Sequence, residues 1–516
     1  MDSTAANKLS QQLSWEYRRQ GSAREKLFFA LAAFVLAVAG AFAIGVVLTA
    51  LPNPILAVPL IPCAIGGIIF LLKPYWAVLL LVFIIPFQFM ANISGDGTIT
   101  LPKILMPAVV GVWLLNHLVK KNARLVTSFV SHPFFASVVL FYLSLLPSYL
   151  NAHHEGLFFG FLFTKMIPYY VIAVMLADTI NSVWRLKQFY FTVFAIAYII
   201  TGFGIIEIFT GQSILSLVGM DYNLVGGGSQ GLVSTKNANT EEEAEWIRVA
   251  STFLDSNYFC GFMLLSLVFV LGIWQLTKSI IARGAIIGYC LMVAMNVVAT
   301  GSRAGLVSTA SFVGLCLLFF NYPLKRLLVV CGAIGVVCII PFLNDILGDS
   351  YRNGISLDAF YDDPRYGIWT TGIEMIKEYP VLGVGFGNYL DRWHNFRTTR
   401  GEMKPFLPHN TTLGLLAESG LFALVFFKFA IAVMAATIML CWLKTENHGR
   451  KQMIKLIGLN LCAFYLFSFS TNAIDFEFLW ITMGATIALT KLKDAELIGS
   501  RHLTPKARGT TKPFLL

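Results

Sequence analysis

The residue best placed to do acid–base chemistry is His409, in Pro408-His409-Asn410-Thr411-Thr412, where a polar loop gives way to an apolar run. A ring at a helix N-terminus meets partial positive charge, which disfavours a second positive charge on the imidazole. The spacing therefore predicts a histidine largely neutral near pH 7, the form a general base needs. On an ideal helix Gly420, eleven positions on, would share its face, roughly 20° around. The plainer alternative is a histidine that only caps a membrane helix. His394, earlier in the same loop, is its nearest competitor. Three arginines carry the complementary chemistry. Arg248 stands just ahead of Phe253-Leu254-Asp255-Ser256-Asn257, where Asp255 is a natural N-cap. Arg303 lies in the tight turn Thr300-Gly301-Ser302-Arg303-Ala304-Gly305, and Arg365 follows Asp362-Asp363-Pro364. Guanidinium groups near helix N-termini suit phosphate, although a lone boundary arginine can also be held by lipid headgroups. Together with a neutral imidazole they suit a reaction that expels a phosphate: the arginines stabilise the departing charge, and the histidine takes the proton of an attacking hydroxyl. No paired acids, Ser-His-Asp order, HExxH, P-loop or CxxC accompanies them.

The elements that must position these residues are membrane helices. Of 516 residues 57% are hydrophobic and only 13% charged, with a mean hydropathy of +0.71. That is far more apolar surface than a soluble chain of this length needs. Apolar runs of about 17–25 residues number about fourteen, giving an all-α polytopic protein of about 12–14 spans. The net charge of +10 is a topology signal and not a nucleic-acid face. With the N-terminus in the cytoplasm, most Lys and Arg collect inside, among them Arg18, Arg19, Lys120, Lys121, Arg450 and Lys451. Both termini are then cytoplasmic, and Arg248, Arg303, Arg365 and His409 all fall on the opposite, external face. All eight cysteines map to apolar runs, which leaves the external loops without disulfides.

In order, the reading is a cytoplasmic tail at 1–26, an interfacial helix or disordered segment with Trp15 and Tyr17. The run that follows is too long for a cleaved signal and is read as a retained span. An N-terminal bundle covers 27–210, an external loop 211–253, further spans 254–343, a large external loop with short helices 344–409, C-terminal spans 410–490, and a cytoplasmic tail 491–516. The first loop holds Gly226-Gly227-Gly228 and an acidic run from Glu241 to Glu245, read as solvated surface. Two lysines fall inside spans. Lys165 is expected to snorkel or to pair with a buried carboxylate such as Glu207; Lys428 is the other, in the first of the C-terminal spans. The glycines of Val381-Leu382-Gly383-Val384-Gly385-Phe386-Gly387-Asn388 are no nucleotide fingerprint, since no strand–turn–helix unit surrounds them. They are expected to let the backbone turn close to the membrane or to a ligand.

Gly301-Ser302-Arg303-Ala304-Gly305, Pro380 to Asn388, and His409-Asn410 with Gly420 resemble the O-antigen ligase superfamily, and Arg248 to Asn257 fits its preceding segment. The resemblance covers roughly 245–425. It implies a GT-C-like bacterial inner-membrane glycosyltransferase with a periplasmic site and no metal or other cofactor. The donor would be a glycan on undecaprenyl diphosphate, and the acceptor the lipid A core in ligases or a growing lipid-linked glycan in Wzy-type polymerases. The spacing of His409 and Gly420 is ligase-like. In this family's terms Arg248 and Arg303 hold the diphosphate, Arg365 assists, His409 activates the acceptor, and Ser302, Asn257, Asn410 and Gly420 support. A secondary transporter would explain Lys165 and Lys428 as coupling charges, but it requires repeats and broken midplane helices that the sequence does not display.

Overall fold

A computed structural model describes residues 73–88, 100–119, 132–217, 248–253, 255–277, 279–320, 325–326, 328–329, 332, 364–397 and 407–492. Outside them lie the 1–26 tail and the first part of the N-terminal bundle, residues 27–72. So do the glycine and acidic stretches of the first loop, most of residues 321–343 at the end of the middle spans, the second loop up to residue 363 with Asp362 and Asp363, residues 398–406, and the tail beyond 492. The chain divides into two units, residues 1–80 with 105–128, and residues 81–104 with 129–516. In the smaller, Trp113 is fully buried and meets His117 edge-on at 5.1 Å. The candidate site belongs to the larger.

The protein is an all-α polytopic membrane protein, with no strand among the described residues. Six described helices are long and apolar enough to cross a membrane, and three shorter apolar ones accompany them. Their starts follow from small polar residues: Ser182, Asp255, Ser279, Ser302 and Asn447 each accept a backbone N–H of the first helical turn. Helix Ser256–Leu276 is the axis of this unit. Its apolar window is 94% buried, against 17% for Thr411–Lys444. Gly305 lets the helix Arg303–Phe319 close on this axis, since a Cβ there would stand 2.1 Å from Cys260 Sγ.

One helix departs from expectation. Thr411–Lys444 is not continuous, because Gly420 has φ 73° and ψ −172°. On an unbroken helix Thr412 and Lys428, sixteen residues apart, would be separated by roughly 24 Å along the axis. Instead Lys428 Nζ donates to Thr412 Oγ1 at 2.8 Å. The short arm 411–419 therefore folds back along the long arm 421–444, and His409 is brought to the level of Lys428. The ideal-helix geometry that put His409 and Gly420 on one face is overturned by this break. Gly420 is instead the apex of a helical hairpin.

Candidate active site

The site is built from two regions and a turn that joins them. The first begins at Glu207, near the end of helix Val183–Thr210. Its Oε1 accepts the N–H of Ile214 at 2.8 Å, and its Oε2 accepts those of Ala250 and Ser251 at 3.0 and 2.8 Å. Ser251, with φ 53°, is held in that left-handed turn by its own hydroxyl bond to Ile200 O, 2.8 Å. Val249 N donates to Ala299 O at 3.1 Å. Arg248 is thereby laid on the turn before Arg303, its Nε donating to Thr300 O at 2.8 Å. Gly301, φ 59°, makes the turn, and a Cβ on it would lie 3.3 Å from Arg248 Nε. Ser302 caps the next helix by accepting from Gly305 N at 3.1 Å and donates its hydroxyl proton to Asn257 Oδ1 at 2.8 Å. Ser302 and Asn257 thus tie two helix starts together beneath Arg248, and Arg303, the first residue of its helix, has an exposed side chain.

The second region carries His409. Its φ of 45° is left-handed. The N-cap is the next residue, Asn410, whose Oδ1 accepts from Thr412 N and Leu413 N, both at 3.0 Å. His409 therefore stands one residue outside the helix and is half-buried. Pro408 O accepts the indole N–H of Trp369 at 2.8 Å, which attaches the helix Pro364–Glu378 beside it. Arg365 is the second residue of that helix, and only its backbone is described. His394 lies on the exposed side of helix Tyr389–Phe396. Above, the glycine segment 380–388 packs on the hairpin apex: Val384 N and Gly385 N donate to Ala417 O and Glu418 O, each at 2.9 Å, and Leu421 N donates to Pro380 O at 3.1 Å. The backbone does approach other parts of the chain closely, as the glycines suggest: a Cβ on Gly383 would meet the Glu418 backbone of this hairpin, one on Gly385 the backbone of Ala152, and one on Gly387 the carbonyl of Leu157.

The joining turn, residues 468–476, had no role in the sequence reading. Thr411 N donates to Ser468 O at 2.9 Å, Thr411 Oγ1 donates to Thr471 O at 2.7 Å, and it accepts from Ala473 N at 2.8 Å. Two residues on, Asp475 accepts from Tyr258 OH at 3.0 Å and pairs with Lys165 Nζ at 3.2 Å. A continuous bonded path thus runs from His409 through Thr411, Ala473, Asp475, Tyr258 and Asn257 to Ser302 and Arg303. It also corrects the expected partner of Lys165, which is Asp475; Glu207 is occupied by backbone N–H groups. Lys165 sits in the π-turn Leu162–Met166 of an otherwise apolar helix. Glu477 extends the polar cluster, accepting from Tyr169 OH at 2.6 Å and Gln88 Nε2 at 3.0 Å. Two acids two residues apart between apolar runs, Asp475 and Glu477, were the available signal. A second histidine that no motif in the sequence singles out also meets an acid: His153 Nδ1 lies 2.6 Å from Asp391 Oδ2.

Among the described residues no three or more His, Cys, Asp or Glu side chains stand where they could hold a metal ion. No curated protein matches the chain. A family model described as O-Antigen ligase matches residues 287–427, a stretch that contains Arg303, Arg365, the glycine segment, His409 and Gly420 and begins after Arg248 and Asn257. Over residues 287–427 the match supports the likeness to the O-antigen ligase superfamily that the motifs suggest.

Proposed function

We propose that the protein transfers a glycan from undecaprenyl diphosphate to a hydroxyl of the lipid A core, on the periplasmic face of a bacterial inner membrane. The observation that carries this reading is the bonded path that brings a histidine and two arginines from segments far apart in sequence to one end of the bundle. His409 takes the proton of the acceptor hydroxyl as its oxygen attacks the anomeric carbon. The bond from that carbon to phosphate breaks, and the diphosphate leaves with the electron pair. Arg248 and Arg303 stabilise its charge, and Arg365 assists from the neighbouring helix. The lysine and arginine partition supports placing both termini in the cytoplasm.

The test pairs two variants of purified protein with lipid-linked glycan and lipid A core. His409→Ala should lower single-turnover transfer by about 10²–10⁴-fold while donor still binds. Arg303→Lys should bind donor poorly, because an ammonium does not reproduce the two-pronged guanidinium contact. Normal transfer by the histidine variant would sink the assignment of the base. Transfer onto lipid-linked glycan in place of the lipid A core would make the protein a polymerase.

A further inference from the structure

The two intramembrane lysines have opposite surroundings. Lys165 is paired with Asp475. Lys428 donates to two neutral hydroxyls, Thr412 Oγ1 at 2.8 Å and Tyr465 OH at 3.0 Å, with its ammonium 4.8 Å from the Tyr465 ring centre. No carboxylate lies within ion-pair distance of it among the described residues. An ammonium has three protons to donate, and neutral partners leave its charge uncompensated in a place where charge is costly. The rings and hydroxyls hold the cation in position without neutralising it.

Tyr465 also lines an apolar groove of about 720 Å³, together with Phe427, Ile431, Ile438, Trp442 and Cys462. Among the described residues its one charged lining residue is Lys455, while Lys428 adjoins it through Tyr465 and the neighbouring Phe427. This is the size of a ligand site. From Phe427 to Trp442 it follows roughly 22 Å of helix axis, so its shape is that of an extended chain. The Lys428 cation stands at the end that adjoins the hairpin: Thr412, which it contacts, is three residues from His409. A ligand that satisfies both features has an anionic head and a long hydrocarbon tail.

We propose that Lys428 and this groove bind the lipid anchor of the glycan donor, a phosphate meeting the ammonium and the isoprenoid chain lying along 427–442. The inference rests on the donor class proposed above. The donor is favoured over a bilayer phospholipid because the cation belongs to the hairpin that carries His409, where a bound phosphate is already beside the site. The full chain in phosphatidylethanolamine nanodiscs, exposed to a diazirine-bearing polyprenyl diphosphate without glycan, provides the test. Cross-links should map to peptides containing Ile431, Ile438 and Cys462. Unlabelled polyprenyl diphosphate should compete and phosphatidylglycerol should not. Lys428→Gln should cut labelling about tenfold. Ala435→Trp, at a lipid-exposed position in the groove wall, should block labelling beyond it even if the lysine variant fails to fold. Equal competition by phosphatidylglycerol, or undiminished labelling in both folded variants, would overturn the site. Glycan transfer at full rate in both variants would overturn it too, while leaving the transferase reading intact. Labelling of the groove in a protein that transfers no glycan would support the site and sink the transferase reading.

Discussion

The regions that carry Arg248 and His409 each anchor one end of a long loop, and they do so by opposite means. At Arg248 a carboxylate gathers three backbone N–H groups: Glu207 fixes Ile214 on one side of the loop and Ala250 and Ser251 on the other. At His409 the anchoring depends on side chains that are missing. A Cβ on Gly383 would stand 2.3 Å from Glu418 C, and one on Gly420 would stand 2.0 Å from Val381 O. The first anchor depends on acceptor atoms and tolerates any group that supplies them. The second depends on volume and on backbone angles, and tolerates nothing added. A substitution that conserves volume should therefore damage only the first, and one that conserves polarity should damage only the second.

The larger effect is expected at the apex. Gly420→Ala adds no polar group, but it places a methyl against Val381 O in a region of backbone space that is essentially glycine's. Strain there costs about 1–3 kcal/mol, and forcing apart two packed backbones costs a further 1–3 kcal/mol or so. The expected outcome is a large fall in thermal stability and loss of transfer, because the hairpin that sets the depth of His409 cannot close. A variant that melts near wild type would show that the apex can relax and that the glycine contact is not what holds His409.

Glu207→Gln tests the other anchor and should cost less. The replacement is nearly isosteric, yet its NH₂ group must face either Ile214 N–H or the paired N–H groups of Ala250 and Ser251. One buried donor left against another donor costs about 1–3 kcal/mol. The consequence for function is specific, since the segment released is the one that lays Arg248 on Thr300 O. Donor affinity should fall while the rate at saturating donor is kept, and Glu207→Gln combined with Arg248→Ala should be little worse than Arg248→Ala alone. Additive losses in the double variant would mean that Glu207 serves the fold without serving Arg248.

The contrast also explains what the sequence could and could not disclose. Helix starts were legible because each is a local event: Asp255 and Ser302 cap the turns that follow them, and apolar runs mark what comes next. The order and type of the candidate residues were legible for the same reason. The meaning of Gly420 was not. An apolar run with one glycine reads as a continuous helix, and only the distant segment 380–388, with glycines of its own, forces the break. The partner of Lys165 was ambiguous because Glu207 and Asp475 are equivalent in sequence, each an acid at the end of an apolar run. Three-dimensional packing decides it, since Glu207 is occupied by backbone donors that lie up to forty-four residues away. The 468–476 turn leaves only Asp475 and, just beyond it, Glu477 as a trace in the sequence, because its bonds to Thr411 are made by backbone atoms and one hydroxyl.

The smallest expected effect concerns a polar anchor far from His409 in sequence, and it tests whether such anchors can be switched by chemistry alone. His132 caps the helix Pro133–Leu145, its Nδ1 accepting from Phe134 N at 3.2 Å. Burial, and secondly the positive charge of Lys491, lower its pKa from the ordinary 6.5 to about 4. Between those two values the unfolded chain binds the proton and the folded protein does not, so unfolding gains a proton as pH falls. The stability contributed by the neutral ring is complete above pH 6.5 and is lost progressively as the pH drops from there towards 4. Because the ring is only half-buried, solvent screening makes this loss a modest part of the total. His132→Asn supplies a carbonyl acceptor at the same position, a strong N-cap with no titration in this range. Thermal unfolding of both proteins across pH 4–7 should therefore give a difference that grows in favour of asparagine as the pH falls and levels off once the folded ring is itself protonated. A difference that stays constant with pH would show that the imidazole acts there only by its shape, as the glycines do at the apex.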